Sequence, residues 1–573
     1  MIAVRPRRGT RMPLRRVVLA VIVGAAVSVP RADTQIPQFT DITRPAGIDF
    51  RHTNGASRDK YLVETMGSGG LFFDYDGDGW QDVFLVDGGS LADAAVAGRA
   101  RHRLYRNKGN GVYVDVTGAS GIRHREYGMG ACAGDYDGDG DPDLYVTSLG
   151  PNTLYRNDGN GAFTDVTGEA RVGVPLWSAS CAFADLDRDG DLDLFVANYV
   201  NADRAHNPFC GNAQQGRRFY CHPLNFKPLP NTVLRNEGDG AFTDVSVKSG
   251  VAAHRGNGLG VVVADYDGDG WPDVFVANDS VPNFLFRNEG NWRFAEAALA
   301  AGVAAATDGK ARAGMGIDTG DYDADGRLDL IITNLDFEMH TLHRGLDHGL
   351  FAHATTEGGI GFATLPFVGF GVAFFDADND ARLDIAIANG HVMDNAPQLR
   401  AGATHAQRKL LFRNTSGRRF QEAGRSAGPG FALEKVGRGL AAADIDNDGD
   451  LDLLVTNNGQ TADLLRNDGG NRGHALIVRL VGSHGNREAI GARVRLTADS
   501  RTQLRDVKAG SSYLSQNDLR LHFGMGASPV ADRLDVVWPS GETMTLRDVG
   551  ANQIVTIQQG VGVISRNPLA KPN

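Results

Sequence analysis

The 573-residue chain carries 69 acidic against 58 basic residues, a formal charge of −11, with 74 glycines and 42% hydrophobic residues. That length exceeds what one hydrophobic core usually organises, so several domains or a repeat architecture are expected. The acidic balance and the lack of a basic stripe exclude nucleic acid as the expected partner.

Residues 1–32 read as an export signal. Arg5, Arg7, Arg8, Arg11, Arg15 and Arg16 precede a 13-residue apolar run, Val17 to Val29, which is too short to span a membrane. Arg15-Arg16 also permits a twin-arginine signal, though without the flanking Ser or Thr. The protein is therefore expected in the periplasm, on the outer surface or outside the cell, with no membrane span. Losing the seven arginines of residues 1–32 would take the charge from −11 to −18, and seven bound divalent cations would return it to −4.

From residue 74 onward the pattern D-x-D-x-D-(G)-x-x-D occurs seven times. Loop 1 is Asp74, Asp76, Asp78, Trp80, Asp82; loop 2 is Asp135, Asp137, Asp139, Asp141, Asp143; loop 3 is Asp185, Asp187, Asp189, Asp191, Asp193. Loop 4 is Asp265, Asp267, Asp269, Trp271, Asp273, and loop 5 is Asp321, Asp323, Asp325, Arg327, Asp329. Loop 6 is Asp376, Asp378, Asp380, Arg382, Asp384, and loop 7 is Asp444, Asp446, Asp448, Asp450, Asp452. Aspartates at positions 1, 3, 5 and 9, with the position 7 carbonyl, supply an oxygen-only cage, and glycine at position 6 allows the tight bend. Asx turns alone do not require four carboxylates at fixed offsets. Oxygen-only ligands on a flexible loop point to calcium, up to seven ions. Ala381 stands at position 6 of loop 6, so that loop is expected to fill last.

Before each loop lies a short strand with small residues two apart, such as Gly128-Met-Gly130 or Gly437-Arg-Gly439, which must approach something closely. After it come a β-branched run, a run like Leu154-Tyr-Arg-Asn157 and an outer run like Phe163-Thr-Asp-Val-Thr167. Each unit is thus a four-stranded antiparallel meander. Loop starts are separated by 61, 50, 80, 56, 55 and 68 residues, a spacing for propeller blades with variable loops. The seventh unit lacks an outer run, and an orphan one, Phe39-Thr-Asp-Ile-Thr43, sits at the N-terminus. The fold class read from this is all-β: a seven-bladed β-propeller over residues 36–470, closed by Phe39 to Thr43.

Residues 472–560 form a different domain, and 561–573 a tail. Ala475–Val481, Ala492–Leu496, Leu504–Lys508, Arg520–Phe523, Leu534–Trp538 and Ile554–Ile557 are short strand-like runs, suggesting a small β-sandwich or barrel. Asn486, Arg487, Tyr513, Gln516, His522 and Trp538 are either a polar ligand site or caps and core contacts.

Here the chain resembles the FG-GAP/VCBS calcium propellers of integrin α-chain heads, and more closely the cartilage acidic protein family and its bacterial relatives. The carrying motifs are the acidic loops, Leu-Tyr-Arg-Asn, Phe-Thr-Asp-Val-Thr, and in the tail Asn486-Arg-Glu-Ala-Ile-Gly-Ala-Arg-Val494, Gly510-Ser-Ser-Tyr-Leu-Ser-Gln516, His522-Phe-Gly-Met-Gly526 and Val537-Trp-Pro-Ser-Gly541. The tail resembles the ASPIC/UnbV domain. The resemblance implies extracellular calcium-binding repeats and supplies no reaction.

Four cysteines in an exported chain suggest disulfides. Cys210 and Cys221 bracket one insertion and are expected to pair. Cys132 and Cys181 lie on inner strands of adjacent blades but one register step apart, so they are expected to point to opposite sides and stay as free thiols.

In a meander blade the acidic turn joins strands 1 and 2 on one face, so the long insertions 87–103, 199–231 and 389–409, with the incoming crossing 49–66, gather on the other. That loop face is the candidate ligand face. His52, Tyr61, Glu64, Tyr199, His206, His222 and His391 are its most chemically capable residues, while Asn198, Asn278, Asn334, Asn389 and Asn457 recur once per blade and read as structural. Two function classes follow: a recognition, adhesion or scaffold protein binding a glycan or extracellular protein, or a propeller-based enzyme such as a polysaccharide lyase or tailoring enzyme. The catalytic residues and the oligomeric state are not legible.

Overall fold

The computed structural model describes residues 1–3, 36–91, 101–109, 111–123, 126–483 and 485–570. The export signal expected in residues 1–32 lies outside the described residues beyond its first three. Among the described residues no helix is long and apolar enough to cross a membrane.

Residues 36–470 form a β-propeller of seven sheets, each an antiparallel meander around one acidic loop, with Ser515–Gln516 added parallel to the inner strand of the first. Blade 2 shows the pattern: Tyr127–Gly134, Asp143–Leu149, Thr153–Asn157 and Phe163–Asp165 lie side by side in chain order. The second strand of every blade starts at the position 9 aspartate, as in Asp193–Asn198 and Asp452–Asn457. Between their polar ends those second strands run apolar because neighbouring blades cover both faces, and every residue of Asp193–Asn198 is buried. The inner strands touch one another in a closed cycle from Gly70–Phe73 round to Gly437–Ala443 and back.

Closure comes from the N-terminus. Gln38–Asp41 pairs antiparallel with the third strand of blade 7, Phe39 opposite Asn467 and Asp41 opposite Leu465. The Phe39 ring is fully buried and packs edge-on against Phe431 at 5.0 Å. The orphan outer run therefore supplies the fourth strand of the last blade.

The tail domain is a sandwich of two four-stranded sheets. One runs Leu521–Gly526, His474–Val481, Gln553–Gln558, Gly562–Pro568; the other runs Arg501–Asp506, Arg493–Ala498, Val530–Val537, Thr543–Gly550. The six expected strands are present. Thr543–Gly550 joins them, and Gly562–Pro568 carries the sheet past residue 560. The sandwich has no separate core: Leu476, Val494 and Trp538 share one buried cluster with Cys132 and Phe183 of blades 2 and 3.

The close approach foreshadowed by the paired small residues is to this tail. The segment Gly510–Gln516 enters the centre of the ring. The Ser512 N–H donates to Ile317 O at 2.7 Å, the Leu514 N–H to Ser180 Oγ at 3.0 Å, and the Tyr513 hydroxyl to Met66 O at 2.8 Å. A Cβ on Gly69 would lie 2.5 Å from Leu514 O, and one on Gly260 3.0 Å from Ser512 O, so the glycines make room for the inserted backbone.

Both cysteine pairs are disulfides. Cys210–Cys221 pairs as expected, with Cα atoms 5.3 Å apart. The expectation of free thiols at Cys132 and Cys181 is corrected: they are bonded, with Cα atoms 5.8 Å apart. Alternation of side chains holds within one sheet, but these strands belong to two sheets stacked face to face. The forward face of blade 2 meets the rear face of blade 3, so a single register step turns the two thiols toward each other.

Candidate metal centres and the loop face

The seven acidic loops are built alike. The position 9 aspartate is buried and accepts two backbone N–H groups, one from position 2 of its own loop and one from the end of the third strand. Asp82 takes them from Tyr75 and Asn107, Asp143 from Tyr136 and Asn157, and Asp452 from Ile445 and Asn467. The position 1 aspartate accepts the position 6 N–H, as Asp74 does from Gly79 at 3.0 Å. In loops 4 to 7 its other oxygen accepts a second backbone N–H, as Asp321 does from Asp325, whereas in loops 1 to 3 that oxygen is left over. Asp74, Asp135 and Asp185 each hold a buried Oδ1 with no hydrogen-bond partner, and so do the position 3 groups Asp76, Asp323, Asp378 and Asp446.

A buried carboxylate oxygen without a partner is costly unless a cation neutralises it. In loops 1 to 5, three carboxylates of each loop bring oxygens within 4.8 Å of one another, for example Asp74, Asp76 and Asp82. Burial pushes these groups up: Asp82 to about 9, Asp135 and Asp185 to about 7, Asp74 and Asp321 to about 6. The donors are all oxygen, with neither imidazole nor thiolate, so the set fits a hard divalent cation. The position 7 residues Trp80, Asp141, Asp191, Trp271, Arg327, Arg382 and Asp450 differ widely in side chain, as suits a site that would use only their carbonyl. Ala381 adopts φ +69, the left-handed backbone that glycine takes at this position in the other loops, so loop 6 carries strain there.

A second repeating device escaped the sequence reading. The asparagine ending the third strand donates its side-chain amide to the position 2 carbonyl of the preceding blade: Asn157 to Tyr75 O at 2.7 Å, Asn236 to Tyr136 O, Asn288 to Leu186 O, Asn414 to Tyr322 O, Asn467 to Ala377 O and Asn107 to Ile445 O across the closure. These amides staple each acidic loop to the next blade. Blade 5 has Gly345 instead, where a Cβ would lie 2.3 Å from Leu328 O. The signal was present in the recurring Leu-Tyr-Arg-Asn. By contrast Asn198, Asn278, Asn334, Asn389 and Asn457 are structural as read: Asn198 and Asn389 donate to Pro230 O and Arg408 O, closing the connections that follow.

The tail covers the acidic-loop side of the ring. Its six singled-out polar residues do not converge on one ligand site. Arg487 donates to Gly138 O, Gln516 accepts from the Ala133 N–H, Tyr513 reaches Met66 O and His522 contacts Gly449 O. Asn486 caps a turn through Ile490 O, and Trp538 lies in the core. A cavity of about 520 Å³ remains at the seam, lined by Trp80, Arg487, Glu488 and Arg520 among others.

On the opposite face the candidate residues divide. His52, Tyr61, Glu64, Tyr199 and His391 are buried, whereas His206 and His222 are exposed. The Glu64 carboxylate accepts from Ser57 Oγ at 2.6 Å and from the Tyr220 hydroxyl at 3.0 Å, and burial raises its pKa. Tyr220 comes from the blade 3 insertion, so this contact draws that insertion over the end of the central channel. Asn207 donates to Asp59 O and Lys60 pairs with Asp394 at 2.6 Å, tying blades 1, 3 and 6 together. Burial lowers His52 to about 4, keeping it neutral, and its Nδ1 accepts from the Gly459 N–H. The Tyr199 hydroxyl donates to Asp279 at 2.6 Å, and His391 faces Asp336, which Arg400 also holds. The structure brings none of these groups into one open site. Solvent instead meets Phe209, Leu224 and Leu399 on the insertions and Phe337 on the short 333–340 connection of blade 5, and Arg400 stacks 3.9 Å over Phe337.

Comparison with known proteins agrees with this architecture. FG-GAP-like repeats match residues 74–146, 135–196, 227–276 and 265–332, and an ASPIC and UnbV domain matches 482–563. Cartilage acidic protein 1 of Homo sapiens is 30% identical over 329 residues, covering 55% of this chain and 46% of that protein, and the Mus musculus protein is 29% identical, with 47% of it covered. The chain thus spans about half the length of the curated relatives it matches. Among solved structures, an Agrocybe aegerita lectin described as recognising non-reducing terminal N-acetylglucosamine is 15% identical, with a TM-score of 0.36 over 62% of this chain and 79% of that one. The BP39L lectin of Burkholderia pseudomallei is 8% identical, with a TM-score of 0.39 over 70% and 95%. The chain thus carries FG-GAP-like repeats and an ASPIC and UnbV domain, and over about half its length it is similar to the cartilage acidic proteins.

Proposed function

We propose that this is an exported, calcium-rigidified β-propeller that serves as a recognition or scaffold protein, binding a glycan or an extracellular protein on the loop face. The observation that carries the metal half is the set of buried, unpartnered carboxylate oxygens recurring in the acidic loops. Asp74, Asp76, Asp78 and Asp82 would hold the ion in loop 1 with the Trp80 carbonyl, and their counterparts would do so in loops 2 to 7. Export is supported by the N-terminal arginines ahead of an apolar run and by the two disulfides.

The recognition half rests on which face is free. The tail domain covers the metal loops, leaving the insertions as the broad surface of the ring. Exposed Phe209, Leu224, Phe337 and Leu399 lie there beside cations such as Arg400, a composition suited to a partner surface. The buried candidates His52, Glu64 and Tyr199 are committed to internal hydrogen bonds, which favours recognition over a loop-face enzyme.

The test is a binding screen of the exported form against glycans and extracellular proteins, followed by Phe209→Ala, Phe337→Ala and Arg400→Ala. Graded losses of roughly 3- to 30-fold, with calcium content unchanged, are expected of an interaction spread over a preorganised surface. Full binding by the triple variant would refute the loop face as the site.

A further inference from the structure

The tail domain meets the ring through an array of arginines that repeats like the loops. Arg520 donates to Gly79 O of loop 1 and Asp444 O of loop 7, the latter at 2.8 Å. Arg487 donates to Gly138 O of loop 2 at 2.9 Å, Arg493 to Asp265 O of loop 4 at 2.8 Å, Arg495 to Gly326 O of loop 5 at 3.5 Å and Arg501 to Asp380 O of loop 6 at 3.3 Å. Loop 3 meets the tail backbone instead, where a Cβ on Gly485 would lie 2.2 Å from Asp191 Oδ1. In six of the seven loops a main-chain carbonyl thus accepts a hydrogen bond from a tail guanidinium.

Which carbonyls are taken is informative. They belong to positions 1, 4, 5 and 6, and none to position 7, whose carbonyl the metal would use. The guanidinium groups therefore hold each loop from outside without competing for its ligand atoms. A loop with four aspartates stays net negative after binding one divalent cation, so an arginine beside it is still attracted. Without the cation the carboxylates repel, the turn relaxes, and the outward carbonyls lose the positions that the rigid tail sheet requires.

We propose that the tail arginines are positioning residues of the metal loops, so that calcium loading and docking of the tail domain, with its Gly510–Gln516 insertion, are one coupled equilibrium. By reciprocity, calcium tightens the tail and the tail raises the affinity of the loops for calcium. This rests on the calcium reading above and adds what the tail domain contributes to it.

The experiment uses the full exported chain and calcium alone as the probe. In wild type, hydrogen exchange at Ser512 and Leu514, whose amides bond into the ring, is expected to rise at least about tenfold in chelator before the second strands of the blades lose protection. The Arg493→Ala/Arg495→Ala/Arg501→Ala variant, kept in calcium, is expected to bind calcium about tenfold more weakly at the three affected loops, within the range of allosteric coupling. Arg533→Ala, at a solvent-exposed arginine of the same sheet that pairs with Asp535, serves as the control and leaves calcium affinity unchanged. Calcium affinity within twofold of wild type in the triple variant, or unchanged exchange at Ser512 and Leu514 once calcium is removed, would overturn the coupling. Absence of any calcium binding by wild type would instead overturn the metal reading itself.

Discussion

The two faces of the propeller differ in how they are held. The acidic-loop face is periodic: seven copies of one acidic turn, each braced by a buried aspartate and most stapled to the next blade by an asparagine amide. The loop face is singular, made of insertions of unequal length tied by one-off contacts such as Tyr220 to Glu64 and Lys60 to Asp394. Periodic features are legible because a sequence states them seven times. Singular contacts are not, because nothing in the chain marks which distant segments meet.

The comparison is broken most forcefully by removing metal. Chelation is expected to lower the melting temperature by tens of degrees, since each emptied loop leaves buried like charges close together. The pH dependence should also reverse. In chelator the folded-state carboxylates sit above the ordinary value near 4, Asp135 and Asp185 at about 7 and Asp82 at about 9. The folded protein then binds more protons than the unfolded chain, so that stability is present below about pH 4 and falls as pH rises through 7 to 9. With calcium present the protons are displaced, and stability should instead fall as pH drops below about 7. Parallel curves with and without chelator would count against the metal account.

The ring closure gives the next effect. Phe39→Ala removes a fully buried ring from the closing strand and is expected to cost about 3–5 kcal/mol, measured by denaturant unfolding in calcium. Truncation after Pro568, beyond the last tail strand, should cost far less; equal losses would contradict the strand assignment.

The staples come third. Asn288→Ala leaves the Leu186 carbonyl without its inter-blade donor and should cost about 1–3 kcal/mol. Arg344→Ala, in the blade whose staple position is Gly345, should cost less than about 1 kcal/mol, its ion pair to Glu357 being exposed and long. The two disulfides give a smaller contrast. Replacing Cys132 and Cys181, 49 residues apart, should destabilise more than replacing Cys210 and Cys221, 11 apart, in the loop-entropy view of cross-links, by about 1–2 kcal/mol.

Much of the architecture was legible. The loops, the strand order of each blade, the closing strand at Phe39 and the Cys210–Cys221 bridge follow from pattern and spacing. The Cys132–Cys181 bridge was misread because alternation within a sheet was applied across two stacked sheets. The role of Gly510–Gln516 was hidden for another reason: the paired glycines of the inner strands announce a close approach without naming the partner, which lies far along the chain. The loop-face candidates failed as an open site for the same reason. His52, Glu64 and Tyr199 look reactive by residue type, and only the fold shows that burial and internal hydrogen bonds hold them.

The central claim is that the repeated loops are metal sites, and it is tested most directly by counting metal. Elemental analysis of the purified exported form, after exchange into metal-free buffer, should give close to seven calcium ions per chain, or close to six if the strained loop containing Ala381 is empty. A folded protein with calcium near zero, and no uptake when calcium is restored, would contradict it.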